Sequence, residues 1–219
     1  MKLILGFNKY MNIAIINYGM NNLYSVQNAC DKIGLNSIIT DDYDIIMKSK
    51  IVILPGVGAY LEAMKSIKAK KLDRAIYDFI DSGKPFFGIC LGMQLLFTES
   101  EEFGNNKGLG IIDGNVIKFK SNIQKKLIVP HVGWNKVSFR NKNHEKSIMK
   151  NNLNKDFMYF VHSYHVVLES NEIELTSTEY QDIDYCSSII KENITAFQFH
   201  PEKSGNAGMK IFKEMKKLV

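Results

Sequence analysis

Phe86-Phe87-Gly88-Ile89-Cys90-Leu91-Gly92-Met93-Gln94 is the stretch on which the fold turns. It reads as a buried strand, a G-x-C-x-G turn and the opening of an apolar helix. Small residues on both sides of Cys90 permit a strained turn that holds the sulfur out at the carboxyl edge of a sheet. This is a nucleophile elbow with cysteine in place of serine, and a helix N-terminus behind the sulfur favours the thiolate, its reactive form. Cysteine is also a common buried residue, and glycines serve tight packing at such turns. The stretch alone leaves both readings of Cys90 open.

Upstream, the apolar pattern alternates between strand and helix. Ile13 to Asn17 reads as a strand and ends in the turn-rich Tyr18-Gly19-Met20-Asn21-Asn22. Leu23, Val26, Ala29, Cys30 and Ile33 follow at helical spacing, and Gly34 stops them as a C-cap. Ser37 to Thr40 and Ile51 to Leu54 predict two more strands, the second a continuous apolar run suited to burial on both faces. It runs into Pro55-Gly56-Val57-Gly58, after which helical spacing continues from Tyr60 through Ile80 to Gly83. Lys84 to Gly88 and Met93 to Phe97 predict the next strand and helix. This alternation argues for an α/β fold, a central mostly parallel sheet flanked by helices.

Downstream the texture becomes strand-rich. Asn105 to Gly108 reads as a loop. Strands are predicted over Asn115 to Lys120, Leu127 to Val129, Lys136 to Phe139, Met158 to Val167, Ile173 to Ser177, Tyr185 to Ile190 and Thr195 to Phe199. A last amphipathic helix carries Met209, Phe212 and Met215 on one side and Lys210, Lys213, Lys216 and Lys217 on a solvated face. Residues 1–11 add nothing to the first unit and read as an N-terminal extension, with Met11 as an alternative start; residues 12–219 read as one domain.

Composition narrows the class further. The 219 residues are 45% hydrophobic and 23% charged, which excludes disorder and collagen-like or coiled-coil repeats. A net charge of +5 reports solubility rather than function. The apolar residues near the start are too few for a signal peptide or membrane span, so a cytoplasmic protein is expected. Cys30, Cys90 and Cys186 stand far apart with no C-x-x-C pair, which excludes a disulfide framework and disfavours a thiolate metal site.

A cysteine nucleophile needs a base, and the base needs a partner that fixes its tautomer. Thr195-Ala196-Phe197-Gln198-Phe199-His200-Pro201-Glu202-Lys203 supplies both. In an extended segment residues two apart face the same way, so His200 and Glu202 project together if Pro201 keeps the chain extended. His131, His144, His162 and His165 lack a carboxylate two residues on, and read as structural or surface histidines. Cys30 and Cys186 lack an elbow and read as buried thiols. Acyl transfer also needs oxyanion donors: one is the Leu91 N–H, and Gly56, Val57 or Gly58 can supply the second.

G-I-C-L-G-M-Q, H-P-E-K-S, P-G-V-G and N-Y-G-M-N-N together resemble class I glutamine amidotransferases of flavodoxin-like fold. P-H-V-G-W-N and F-V-H-S-Y narrow the resemblance to the glutaminase subunits of imidazole glycerol phosphate synthases, and it runs from Ile13 to Lys203. It implies hydrolysis of L-glutamine to glutamate and ammonia without a cofactor or metal. The ammonia passes to a (β/α)8-barrel cyclase subunit in a heterodimer, for histidine biosynthesis, with no role for nucleic acid or membrane. By the same resemblance Cys90, His200 and Glu202 are the triad, and Val57 and Leu91 the oxyanion donors. Gly58, Gln94, Ser163 and Tyr164 contact glutamine, and Asn22, Trp134, Tyr159 and Lys203 face the partner. The domain over 12–219 is then a glutamine amidotransferase type 1 domain.

Two positions depart from that pattern: Asn21 stands where glycine is usual, and Asn17 where aspartate is common. Related glutaminase subunits that feed sugar amidotransferases in surface-polysaccharide pathways, a stand-alone γ-glutamyl cysteine hydrolase and a degenerate binding module are the alternatives.

Overall fold

A computed structural model describes residues 12–19, 22–120, 127–140, 145, 147–152 and 154–219. The expectations placed on Met11, Asn21 and His144 lie outside the described residues.

The N-terminal half is the alternation the sequence predicts. Strands β1 (Ile13–Ile16), β2 (Ser37–Thr40), β3 (Ile51–Gly56) and β4 (Phe86–Cys90) pair in parallel in the order β2-β1-β3-β4. All four residues of β1 are buried because the strand is covered on both faces. Ala14 and Ile16 enter one core cluster while Ile13 and Ile15 enter the other, the period-2 alternation of a strand expressed across two layers. Helices α2 (Tyr43–Lys48), α3 (Tyr60–Ala69) and α4 (Leu72–Asp81) fill the first layer. The second contains α1 (Leu23–Lys32) and α6 (Gly205–Met215).

The predicted helical run over 60–80 is in fact two helices, because Lys71 takes a left-handed φ of 56° and ends the first one. Helix α2 escaped the sequence reading: it is six residues long and buries only Ile46, too little for a periodic signal. Its N-cap, Asp42, accepts the N–H of Ile45 at 3.0 Å.

After β4 comes α5 (Leu91–Gln94), a single turn, and the predicted helix over 93–97 gives way to β5 (Phe97–Ser100). The short pair β6 (Asn106–Lys107) then precedes β7 (Ile112–Lys118), β8 (His131–Lys136), β9 (Ser138–Phe139), β10 (Phe157–His162) and β11 (Tyr164–Leu168). The last three are β12 (Glu174–Tyr180), β13 (Ile183–Lys191) and β14 (Ile194–Phe197). Strand β14 returns to pair in parallel with β4, so β14-β13-β11-β7 continue the main sheet as antiparallel neighbours.

Leu127 to Val129 is not a strand; pairing starts at His131 after Pro130, which has no N–H to give a ladder. The predicted single strand over 158–167 breaks at Ser163: β10 pairs with β8 in a separate two-stranded sheet, and β11 joins the main sheet. The C-terminal lysines are less free than expected. Lys210 reaches Asp156 at 3.2 Å and Lys216 donates to the Ile33 carbonyl at 2.5 Å. No helix among the described residues is long and apolar enough to cross a membrane.

Candidate active site

Three adjacent parallel strands deliver the site. In their register Gly56 lies opposite Cys90, and Ala196 opposite Gly88. The carboxyl ends of β3, β4 and β14 therefore bring together Gly56-Val57-Gly58, Cys90 and the segment leading to His200, at the edge where open α/β sheets bind ligands.

Cys90 sits at φ 54° and ψ −109°, a conformation that non-glycine residues avoid. Both flanking glycines are closely packed, Gly92 the more severely. A Cβ on Gly92 would overlap the backbone carbonyl of Leu54, and one on Gly88 would come within 3.1 Å of Ala196 Cβ, the Gly92 carbonyl and Met93 Cα. The turn is held by the strands around it, and Cys90 is 5% exposed. Helix α5 behind it has only four residues, so its dipole gives the sulfur less support than the sequence suggested.

His200 is buried, and its Nδ1 pairs with Glu202 Oε1 at 2.7 Å. The segment is not extended as expected. Pro201–Lys203 forms a 3-10 turn with proline at its start, whose fixed φ suits a helical first position. The turn brings Glu202 back against the ring of His200. With Nδ1 donating to the carboxylate, Nε2 is left as the ring atom without a hydrogen-bond partner of good geometry. Burial opposes charging His200, but the negative charge of Cys90, its hydrogen bonding, and Glu202 outweigh it and lift the pKa to about 10. Asn22 Nδ2 donates to the same Glu202 oxygen at 2.6 Å. Asn22 therefore lies against the His200–Glu202 pair.

Val57, Gly58, Cys90, Leu91, Gln94, Ser163 and Tyr164 all line one cavity of about 320 Å³. The cavity is thus shared by Cys90, Val57, Leu91 and the four residues expected to contact glutamine, while Gly56, the other candidate donor, does not line it. Gln94 Nε2 donates to the Tyr164 carbonyl and to Gln198 Oε1, both at 2.9 Å. Its two N–H groups are consumed, so Gln94 can offer a ligand only its oxygen, a site for a donor such as an ammonium.

Glu102 also lines the cavity, with its Oε2 accepting the N–H of Tyr60 at the start of α3 at 2.5 Å. The sequence reading missed it because it is one of several acidic residues in Glu99-Ser100-Glu101-Glu102. It gives the cavity an anionic wall.

Of the residues expected to face a partner, Trp134 is 53% exposed on the two-stranded β8–β10 sheet with Tyr159 6.0 Å away, and Lys203 is exposed on the turn after His200. A larger cleft of about 500 Å³ lies beside Arg140, Glu174 and Asp184, where Arg140 is ion-paired to Asp184; Cys186 and His165 also line it, but the Cys186 thiol bonds to the Ser188 carbonyl and His165 Nδ1 faces the Val166 carbonyl.

The other described histidines, His131, His162 and His165, pack among aromatic rings. His131 and His162 share the Tyr185 hydroxyl at 3.1 and 3.2 Å, and His165 stacks on Phe119. Burial lowers the pKa of all three, to about 4 for His131. Cys30 and Cys186 are buried thiols whose pKa burial raises, to about 12 for Cys30.

The family profile Glutamine amidotransferase class-I matches residues 14–217. The imidazole glycerol phosphate synthase subunit HisH of Aquifex aeolicus (strain VF5) is 42% identical over 208 residues, covering 94% of this chain and 97% of its own. That of Bacillus subtilis (strain 168) is 40% identical over 210 residues, covering 94% and 96%. The solved structure of PurLQS from Thermotoga maritima superposes with a TM-score of 0.73 at 18% identity, covering 95% of this chain and 99% of that one. A crystal structure of a glutamine amidotransferase gives 0.70 at 14%, covering 94% and 97%. At such identities the structures speak for the fold alone. Over nearly all its length, and with an elbow cysteine set among the strands that deliver His200 and Glu202, this chain belongs to the class-I glutamine amidotransferase family.

Proposed function

We propose that this chain is the glutaminase subunit of an imidazole glycerol phosphate synthase, hydrolysing L-glutamine to glutamate and ammonia for a cyclase subunit. The observation that carries the reading is the strained Cys90 turn facing the cavity, with the His200–Glu202 pair at 2.7 Å beside it. The pathway rests on the identity to the HisH subunits.

The reaction follows from the placement of the groups. Glutamine enters with its α-ammonium toward Glu102 and the Gln94 oxygen, and its side-chain amide over Cys90. The thiolate attacks the amide carbon. The N–H groups of Val57 and Leu91 receive the developing oxyanion. His200 carries a proton at neutral pH because its pKa lies near 10, and Nε2 gives that proton to the departing nitrogen as the C–N bond breaks. Water then adds to the γ-glutamyl thioester, giving its proton to His200 while the C–S bond breaks. Glu202 keeps the ring in the tautomer that performs both transfers.

Ammonia released into water becomes ammonium, which is not a nucleophile. That chemistry favours a partner that takes it directly, a (β/α)8-barrel cyclase in a heterodimer docked over Asn22, Trp134, Tyr159 and Lys203. Three free cysteines and the pathway fit the cytoplasm. The test is Cys90→Ala in the two-subunit complex. Glutamine-dependent synthesis falls to background while synthesis from added ammonia persists; loss of both would sink this division of labour.

A further inference from the structure

Gln198 is fully buried between β14 and His200, and neither the triad nor the cavity wall uses it. Its orientation follows from hydrogen-bond logic. The Tyr164 carbonyl can only accept, so the amide end of Gln94 that faces it at 2.9 Å is the NH2 group. The second N–H of that group points at Gln198, also at 2.9 Å, so Gln198 presents oxygen there. The NH2 end of Gln198 is then turned to Cys90 Sγ, to which it donates at 3.7 Å. Its backbone N–H is fixed to the Ser187 carbonyl at 2.9 Å, so the side chain springs from an anchored strand end.

We propose that Gln198 is a further catalytic residue, whose amide N–H stabilises the negative charge on Cys90 Sγ before attack and again when the sulfur leaves the thioester. The proposal deepens the glutaminase reading and rests on it. A thiol is a weak acceptor and a thiolate a strong one, so a fixed N–H donor favours the charged form. The one-turn helix behind Cys90 contributes little of the dipole that usually does this. During acylation the Sγ–C bond forms and the sulfur charge disappears. During deacylation the C–O bond forms, the C–S bond breaks and the electron pair returns to sulfur, where the Gln198 N–H meets it. The donor thus acts at both ends of the cycle, whereas His200 has a proton to give at only one.

Gln198→Glu isolates the donor, since the acceptor for Gln94 survives and only the N–H to sulfur is replaced, by a charge that opposes the thiolate. Gln198→Met removes the donor without adding charge. Iodoacetamide alkylation of Cys90 across pH in the two-subunit complex, with Cys90→Ala as blank, reads the sulfur without glutamine. For Gln198→Met the midpoint is expected to rise by about one pH unit, and glutamine-dependent kcat to fall about tenfold. Gln198→Glu is expected to show larger changes with KM for glutamine within about twofold, because Gln94 keeps its partner. Ammonia-dependent synthesis stays at the wild-type level in both. An unchanged alkylation profile in either folded variant would overturn the role of Gln198. Failure of the glutaminase reading looks different: wild-type complex that releases no glutamate.

Discussion

Asn22 Nδ2 and His200 Nδ1 converge on a single oxygen of Glu202, at 2.6 and 2.7 Å. The carboxylate is held from two elements far apart in sequence, the start of α1 and the turn after β14. Asn22 reaches it from a left-handed conformation, φ 80°, and spends its side chain on Glu202 instead of capping its own helix. That diversion is the mark of a positioning role, because asparagine at such a place ordinarily bonds to the first turn.

Asn22→Ala should therefore impair glutamine hydrolysis in the complex. A hydrogen bond to a charged group contributes about 1.5 to 3 kcal/mol. If about half of it is spent on orienting Glu202 in the transition state, kcat drops by about 4- to 13-fold. Steady-state kinetics with glutamine and with ammonia check this, the second serving as control. Weaker subunit affinity with unchanged kcat at saturation would assign Asn22 to docking alone.

Glycines at the elbow give a second contrast. Gly92→Ala drives a methyl into the Leu54 backbone carbonyl, which is fixed in the centre of the sheet, and should cost about 3 kcal/mol or more. Gly83 also ends an element, with φ 74°, but nothing lies within 4 Å of an added Cβ. Gly83→Ala should cost only the left-handed strain, about 1 kcal/mol. Urea denaturation of the two variants reads the difference, and equal losses would refute the account of the elbow.

The parts of this architecture legible in the sequence are those where one layer of physics decides. Continuous apolar runs at Ile51 to Leu54 and Phe86 to Ile89 mark strands buried on both faces, and G-x-C-x-G marks the turn that only a crowded strand-to-helix junction needs. What was not legible depends on partners distant in sequence. The break at Ser163 arises because β10 and β11 pair with different strands, which no local pattern records. Glu102 enters the cavity because it caps α3 across a separation of 42 residues. Gln198 sits inside the quoted motif at a position that alternation assigns to the side opposite its phenylalanine neighbours, yet only the chain through Gln94 and Tyr164 shows where its amide points.

The titrating groups set two opposite pH limits. The folded pKa of His200, about 10, lies above the unfolded value of about 6.5, so its contribution to stability is complete below 6.5 and is lost as pH rises through 10. His131, His162 and His165 behave the other way, since burial holds their folded values below 6.5. The unfolded chain binds protons there that the folded chain refuses, so stability falls as pH drops below about 6.5, continuing to about 4 for His131. Melting temperature should thus pass through a maximum at about pH 6.5 and decline on both sides. Cys90→Ala removes the negative charge that is the largest favourable influence on His200, so in that variant the alkaline decline should be smaller and end at lower pH. The acid decline, governed by histidines around Tyr185, should not move. Melting curves of both proteins from pH 4 to 11 measure the two limbs separately, and an alkaline limb indifferent to Cys90→Ala would break the link between the sulfur and His200.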